Sequence, residues 1–252
     1  YRDNVRRYWK GDDFSAQGLS SGLLGSASHF DKAGRRAWAS VNLLTSHDGF
    51  TLADCTRYNE RHNLANLENG ADGHSGNYSD NCGIEGGTTD PAILKARQRR
   101  QRNMLATLFL SQGTPMLLGG DELGNSQRGN NNAYCQNNRT SWLAWKDSQL
   151  SHPLTRFIDD VLRLRKQFSV FKHRFFVHDD DTRYDVAWFT EEGNAMQQDD
   201  WHEAERQFLM YSLTDKHTHQ ALLIILNAGS EAVSCQLPHL EKAKWQLAVS
   251  SI

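Results

Sequence analysis

The chain has 252 residues, 38% of them hydrophobic and 23% charged, with a net charge of −2. That length holds one or two domains around a sizeable core. Acids and bases are mixed along it, which excludes the clustered Lys and Arg of a nucleic-acid surface. No apolar run approaches membrane-spanning length.

Residues 1–10 carry Val5, Tyr8 and Trp9 at helical spacing, and 11–40 are Gly- and Ser-rich with short helical pieces. The run Val41 to Thr45 reads as a short buried strand. Residues 51–89 are polar and rich in Asn, Asp and Gly, and a structureless stretch of that length in a compact domain points to function. Asp90 and Pro91 then open a helix as N-cap and first helical residue. Within it, Lys95 to Arg102 is the densest basic stretch and reads as a solvated face.

Pro115 to Leu118 is a second buried strand, so strand, helix and strand follow one another as in a parallel α/β sheet. Pro153 starts an amphipathic helix with Leu154, Phe157, Ile158, Val161, Leu162 and Phe168 in period and Arg165 as a basic interruption. From about 175 the period becomes strand-like, at 184–189, 208–213, 221–226, 233–237 and 245–249, which suggests a β-sandwich. This change of period divides the chain into 1–174 and 175–252.

Cys55, Cys82, Cys135 and Cys235 are far apart and lack metal-ligand spacing, so reduced thiols in a cytoplasmic protein are expected. His29, His62 and His74 show no ligand pattern and read as solvated loop residues. Trp142, Trp145, Trp188 and Trp201 read as core rather than as sugar platforms.

Ser46-His47-Asp48-Gly49-Phe50 stands where the first strand opens into a loop, the place where parallel α/β folds keep their chemistry. Asp48 there suits the stabilisation of positive charge on a sugar ring, and His47 suits a hydroxyl contact. A plain Asp-Gly turn accounts for the same residues. A Ser-His-Asp triad is excluded, because a triad brings distant segments together. Asp121 and Glu122 follow the second strand and read either as a carboxylate pair or as caps that order their loop.

Ser46 to Leu52, Tyr58-Asn59 with His62-Asn63, Asn81-Cys82-Gly83 with Glu85-Gly86, Leu110 to Leu118, Gly120-Asp121-Glu122 and Gly129 to Gln136 together resemble bacterial glycogen debranching enzymes. These are isoamylase-like members of glycoside hydrolase family 13, the α-amylase family. The resemblance extends to Trp188-Phe189 and Asp200-Trp201.

It implies a (β/α)8 barrel followed by an all-β sandwich. Residues 1–174 would be the C-terminal part of the barrel, with its seventh and eighth strands, and 175–252 the sandwich. It further implies that Asp48 is the transition-state-stabilising carboxylate, that His47 contacts sugar hydroxyls, and that Asp121 and Glu122 line the substrate pocket. The implied reaction is retaining hydrolysis of α-1,6 branches in glycogen or limit dextrin, with no organic cofactor and no obligatory metal.

The family's nucleophile and acid/base lie on the fourth and fifth barrel strands, and no residue here matches either. The expectation is therefore a C-terminal piece, inactive alone, whose partners are a branched α-glucan and the N-terminal part of the same protein. A non-catalytic glucan-binding module and a part-barrel completed by another chain are the rival expectations.

Overall fold

The computed structural model describes the chain except residues 33, 146–151, 174–175, 178–180 and 241–242. Helix α1, Arg2–Lys10, buries Val5, Tyr8 and Trp9, the residues that its spacing marks. Two shorter helices follow, α2 (Ser15–Leu23) and α3 (Ala27–Phe30). Strands β1, Val41–Leu43, and β2, Thr114–Met116, pair in parallel with Val41 opposite Thr114 and Leu43 opposite Met116. The helix between them, α4 (Pro91–Leu110), completes the expected strand–helix–strand unit. Asp90 caps α4, its side chain accepting from Ala92 N at 2.8 Å. Helix α5, Pro153–Gln167, packs on α4.

Arg165, the basic interruption on α5, reaches the end of α4. It donates to the carbonyls of Phe109 and Ser111, each at 2.6 Å, and of Gly113 at 2.8 Å. Carbonyls at a helix end have no intrahelical donor, and this fork supplies one just before β2 begins.

Strands β3 (Tyr184–Phe189), β4 (Phe208–Asp215) and β5 (Gln220–Asn227) form an antiparallel sheet in the order β3-β4-β5. A short helix, α6 (Gln198–Trp201), lies between β3 and β4. The sheet packs against the helices. Tyr8 on α1 places its hydroxyl 2.8 Å from Gln207 O and 2.9 Å from Leu226 O. One apolar cluster runs from Val5, Tyr8 and Leu19 through Leu105, Leu108 and Val161 to Leu209, Tyr211 and Leu213.

Three expectations are corrected. Residues 233–237 and 245–249 are not strands, and among the described residues the sheets are the parallel pair β1-β2 and the antiparallel β3-β4-β5, with no second antiparallel sheet. The alternation in them has no sheet face to bury, since Val233, Leu237 and Leu247 are exposed. Trp142 and Trp145 are exposed rather than core, whereas Trp188 and Trp201 are half-buried against the core. Arg97, in the stretch read as a solvated face, is buried. The division at 174/175 falls outside the described residues.

Candidate active site

The site grows from the C-terminal end of β1. Leu44 is buried, and its carbonyl accepts from the buried Arg6 at 3.0 Å (Nε) and 2.7 Å (Nη2). Arg6 also donates to Asn77 O at 2.9 Å, so one guanidinium joins the strand exit to the long polar loop.

The next residues form a projecting loop whose two feet are tied together. Thr45 donates to one oxygen of Asp121, and Leu52 N donates to the other at 2.9 Å. Asp121 is 1% exposed. Burial pushes its pKa up to about 6, against the hydrogen bonds from Thr45 and Leu52. Asp121 was expected in the substrate pocket, but it sits beneath the loop with both oxygens engaged. Glu122 folds back on its own turn, accepting from Gly120 N at 2.8 Å.

His47 and Asp48 stand exposed on the loop that Asp121 closes. Ser46 donates to Asp48 Oδ1, and His74 Nε2 lies 3.2 Å from Oδ2. Those two bonds, Ser46 first, hold the Asp48 carboxyl down at about 2, well below the usual carboxylate range. Asp48 is therefore an anion at any ordinary pH, fixed by two donors and half exposed to solvent.

His74, read from sequence as a solvated residue, is thus the partner of Asp48. An asparagine network holds it there. Asn131 donates to His74 O at 2.8 Å and to Asn77 Oδ1 at 2.9 Å, and its carbonyl receives Gly49 N at 2.8 Å. Asn63 exchanges two bonds with Asn131, at 2.8 and 3.0 Å. Asn66 and Asn132 both donate to Asp72, at 2.7 and 3.0 Å. Gly73 has φ +78° against this network, and a Cβ there would collide with Asn131 Oδ1 and stand 2.7 Å from Asn63 Nδ2.

The outer part of the loop is held from α4. Arg97 donates to Gly86 O at 2.7 Å, to Asn81 O at 2.9 Å and to Ile84 O. Glu85 pairs with His62 at 3.0 Å. Burial works to raise Glu85, but the donors Asn59 N, Asn81, His62 and Glu60 N outweigh it and hold it at about 2. Asp54, fully buried, accepts from Ser126 at 2.5 Å and Gln127 N at 2.7 Å, which joins the two polar loops. Among the described residues no group of three or more His, Cys, Asp or Glu side chains is arranged to hold a metal.

No protein-family model matches the chain. It is 40% identical over 248 residues to the glycogen debranching enzyme of Dickeya chrysanthemi, covering 98% of this chain and 36% of that protein. It is 47% identical over 206 residues to the glycogen operon protein GlgX homolog of Mycobacterium tuberculosis, covering 80% of this chain and 29% of that protein. The chain is a relative of bacterial glycogen debranching enzymes over nearly its whole length. It spans about a third of the length of these relatives.

Its fold is that of part of a pullulanase. The apo pullulanase of Paenibacillus barengoltzii matches 94% of the chain at TM-score 0.62 and 20% identity, over 32% of its own length. The same enzyme in complex with maltohexaose and α-cyclodextrin matches at TM-score 0.59.

Proposed function

We propose that this chain forms the Asp48 side of the active site of an α-1,6-glucan debranching glycosidase. The observation that carries the reading is the Asp48 carboxylate: exposed, ionised and braced by two donors on a loop that leaves a parallel strand. A retaining glycosidase passes through an oxocarbenium-like transition state. A fixed anion beside the ring stabilises that positive charge, and because it is already oriented it needs no reorganisation as the charge develops. His47, exposed next to it, hydrogen-bonds a ring hydroxyl. Asp121 acts as a positioning residue that closes the base of the loop, and Glu122 orders its own turn.

In this reading β1 and β2 are the seventh and eighth strands of a (β/α)8 barrel, and the sheet β3-β4-β5 belongs to a C-terminal β domain. The polar loops 51–89 and 119–140 shape the cleft for a branched glucan such as glycogen or limit dextrin. The nucleophile and the acid/base belong to the part of the family that this chain does not span. The four free cysteines suit the cytoplasm.

The test is incubation of the purified chain with phosphorylase limit dextrin. No linear malto-oligosaccharide is released if the other carboxylates lie elsewhere. Release that disappears on Asp48→Asn would overturn the assignment of those carboxylates and give the reaction to this chain alone.

A further inference from the structure

An open surface groove of about 320 Å³ lies between α2 and the tryptophans of β3 and α6, lined by Gln17, Ser20, Ser21, Leu24, Trp188 and Trp201. None of its lining residues belongs to the loops that carry or brace Asp48. The two tryptophan rings meet edge to face, with centroids 5.1 Å apart and planes at 77°. Behind them the Trp188 ring stacks on Tyr211 at 4.7 Å. Trp188 is therefore held on two sides, and its ring is oriented before any ligand arrives. Tyr211 is fully buried, and its hydroxyl has no hydrogen-bond partner among the described residues.

The lining selects the class of ligand. Among the described residues it holds no charged side chain, which disfavours phosphate, carboxylate and cationic groups. It holds a single aliphatic residue, Leu24, beside two aromatic rings, one amide and two hydroxyls. Flat apolar faces edged by neutral hydrogen-bonding groups match a sugar, whose ring C–H faces are apolar and whose rim is hydroxyl. The groove is open along the surface, which suits a short stretch of a chain rather than a branched core.

We propose that this groove is a second glucan-binding site, separate from the Asp48 loop, that holds a linear α-1,4 segment on the Trp188–Trp201 pair. The α-glucan preference rests on the function proposed above; the groove itself rests on its lining. A polymer-degrading enzyme gains from such a site because a second foothold raises the local concentration of the same molecule at the first.

The experiment is a titration of the isotope-labelled chain with maltoheptaose, following the indole N–H signals of Trp188 and Trp201 by NMR. Saturable shifts of both signals are expected, with at least about tenfold weaker binding in Ser21→Arg, which fills the groove from an exposed helix position. Trp201→Ala should remove the Trp188 response, and if that variant unfolds, Ser21→Arg decides alone. Cellohexaose should shift neither signal.

The proposal is overturned if maltoheptaose moves neither indole, if Ser21→Arg leaves the titration unchanged, or if cellohexaose gives the same shifts. None of these outcomes touches the Asp48 reading, which is judged by oligosaccharide release and not by these signals.

Discussion

His74 Nε2 lies 3.2 Å from Asp48 Oδ2, across 26 residues of chain. The pair turns a loop aspartate into an oriented anion, because Ser46 holds one oxygen and His74 the other. The polar segment after β1 therefore does more than bridge two elements: it carries the donor that fixes Asp48.

Removing that donor should show in the titration of Asp48. Its pKa is lowered from 3.8 to about 2 by Ser46 and then His74. A carboxylate with a depressed folded-state pKa stabilises the fold above its ordinary pKa, and this contribution fades as pH falls from about 4 towards 2. In His74→Ala the Asp48 carboxyl, followed by carbon-detected NMR, should titrate at a higher pH than in the native chain. An unchanged midpoint would remove His74 from the site.

Asp121 carries the opposite sign. Its pKa is raised to about 6 by burial, so the folded state holds its proton more tightly than the unfolded chain does. Its contribution is fullest below pH 4 and declines as pH rises through 6. Urea unfolding of the native chain and of Asp121→Asn should differ in slope between pH 4 and 6, the variant being the flatter. Asp121→Ala should cost about 1–3 kcal/mol at low pH by leaving Thr45 and Leu52 N without an acceptor.

Gly73→Ala tests the asparagine network. The residue has φ +78°, and a Cβ would collide with Asn131. The cost should be about 1–3 kcal/mol, confined to the loop. Amide exchange should accelerate across residues 62–78 while α4 and α5 keep native protection. Native rates throughout would mean that the network tolerates the methyl group.

Arg97→Lys should destabilise the chain nearly as much as Arg97→Ala, by about 2 kcal/mol. A lysine cannot span the three carbonyls of Asn81, Ile84 and Gly86 that the planar fork reaches. Thermal melts of both variants against the native chain check it.

The regular elements were legible where local chemistry decides them. Asp90-Pro91 marks the start of α4 and Pro153 that of α5, and the apolar period of α5 matches its buried face. The family was legible as well, because several motifs stand in fixed order. The bracing of the site was not. His74 carries no pattern of its own, and its role depends on Asn131, 57 residues away. Arg97 looks like any basic residue on a helix until the loop 81–86 folds over it. The alternation at 233–237 and 245–249 misled because period alone does not supply a neighbouring strand.

The measurement that bears most directly on Asp48 is made in a chimera. In it this chain replaces the corresponding third of the Dickeya chrysanthemi glycogen debranching enzyme, to which it is 40% identical. The chimera should release linear malto-oligosaccharides from limit dextrin, and Asp48→Asn should lower kcat by about 10²–10³ while the fold and glucan binding persist. Undiminished turnover after that substitution would contradict the role of Asp48.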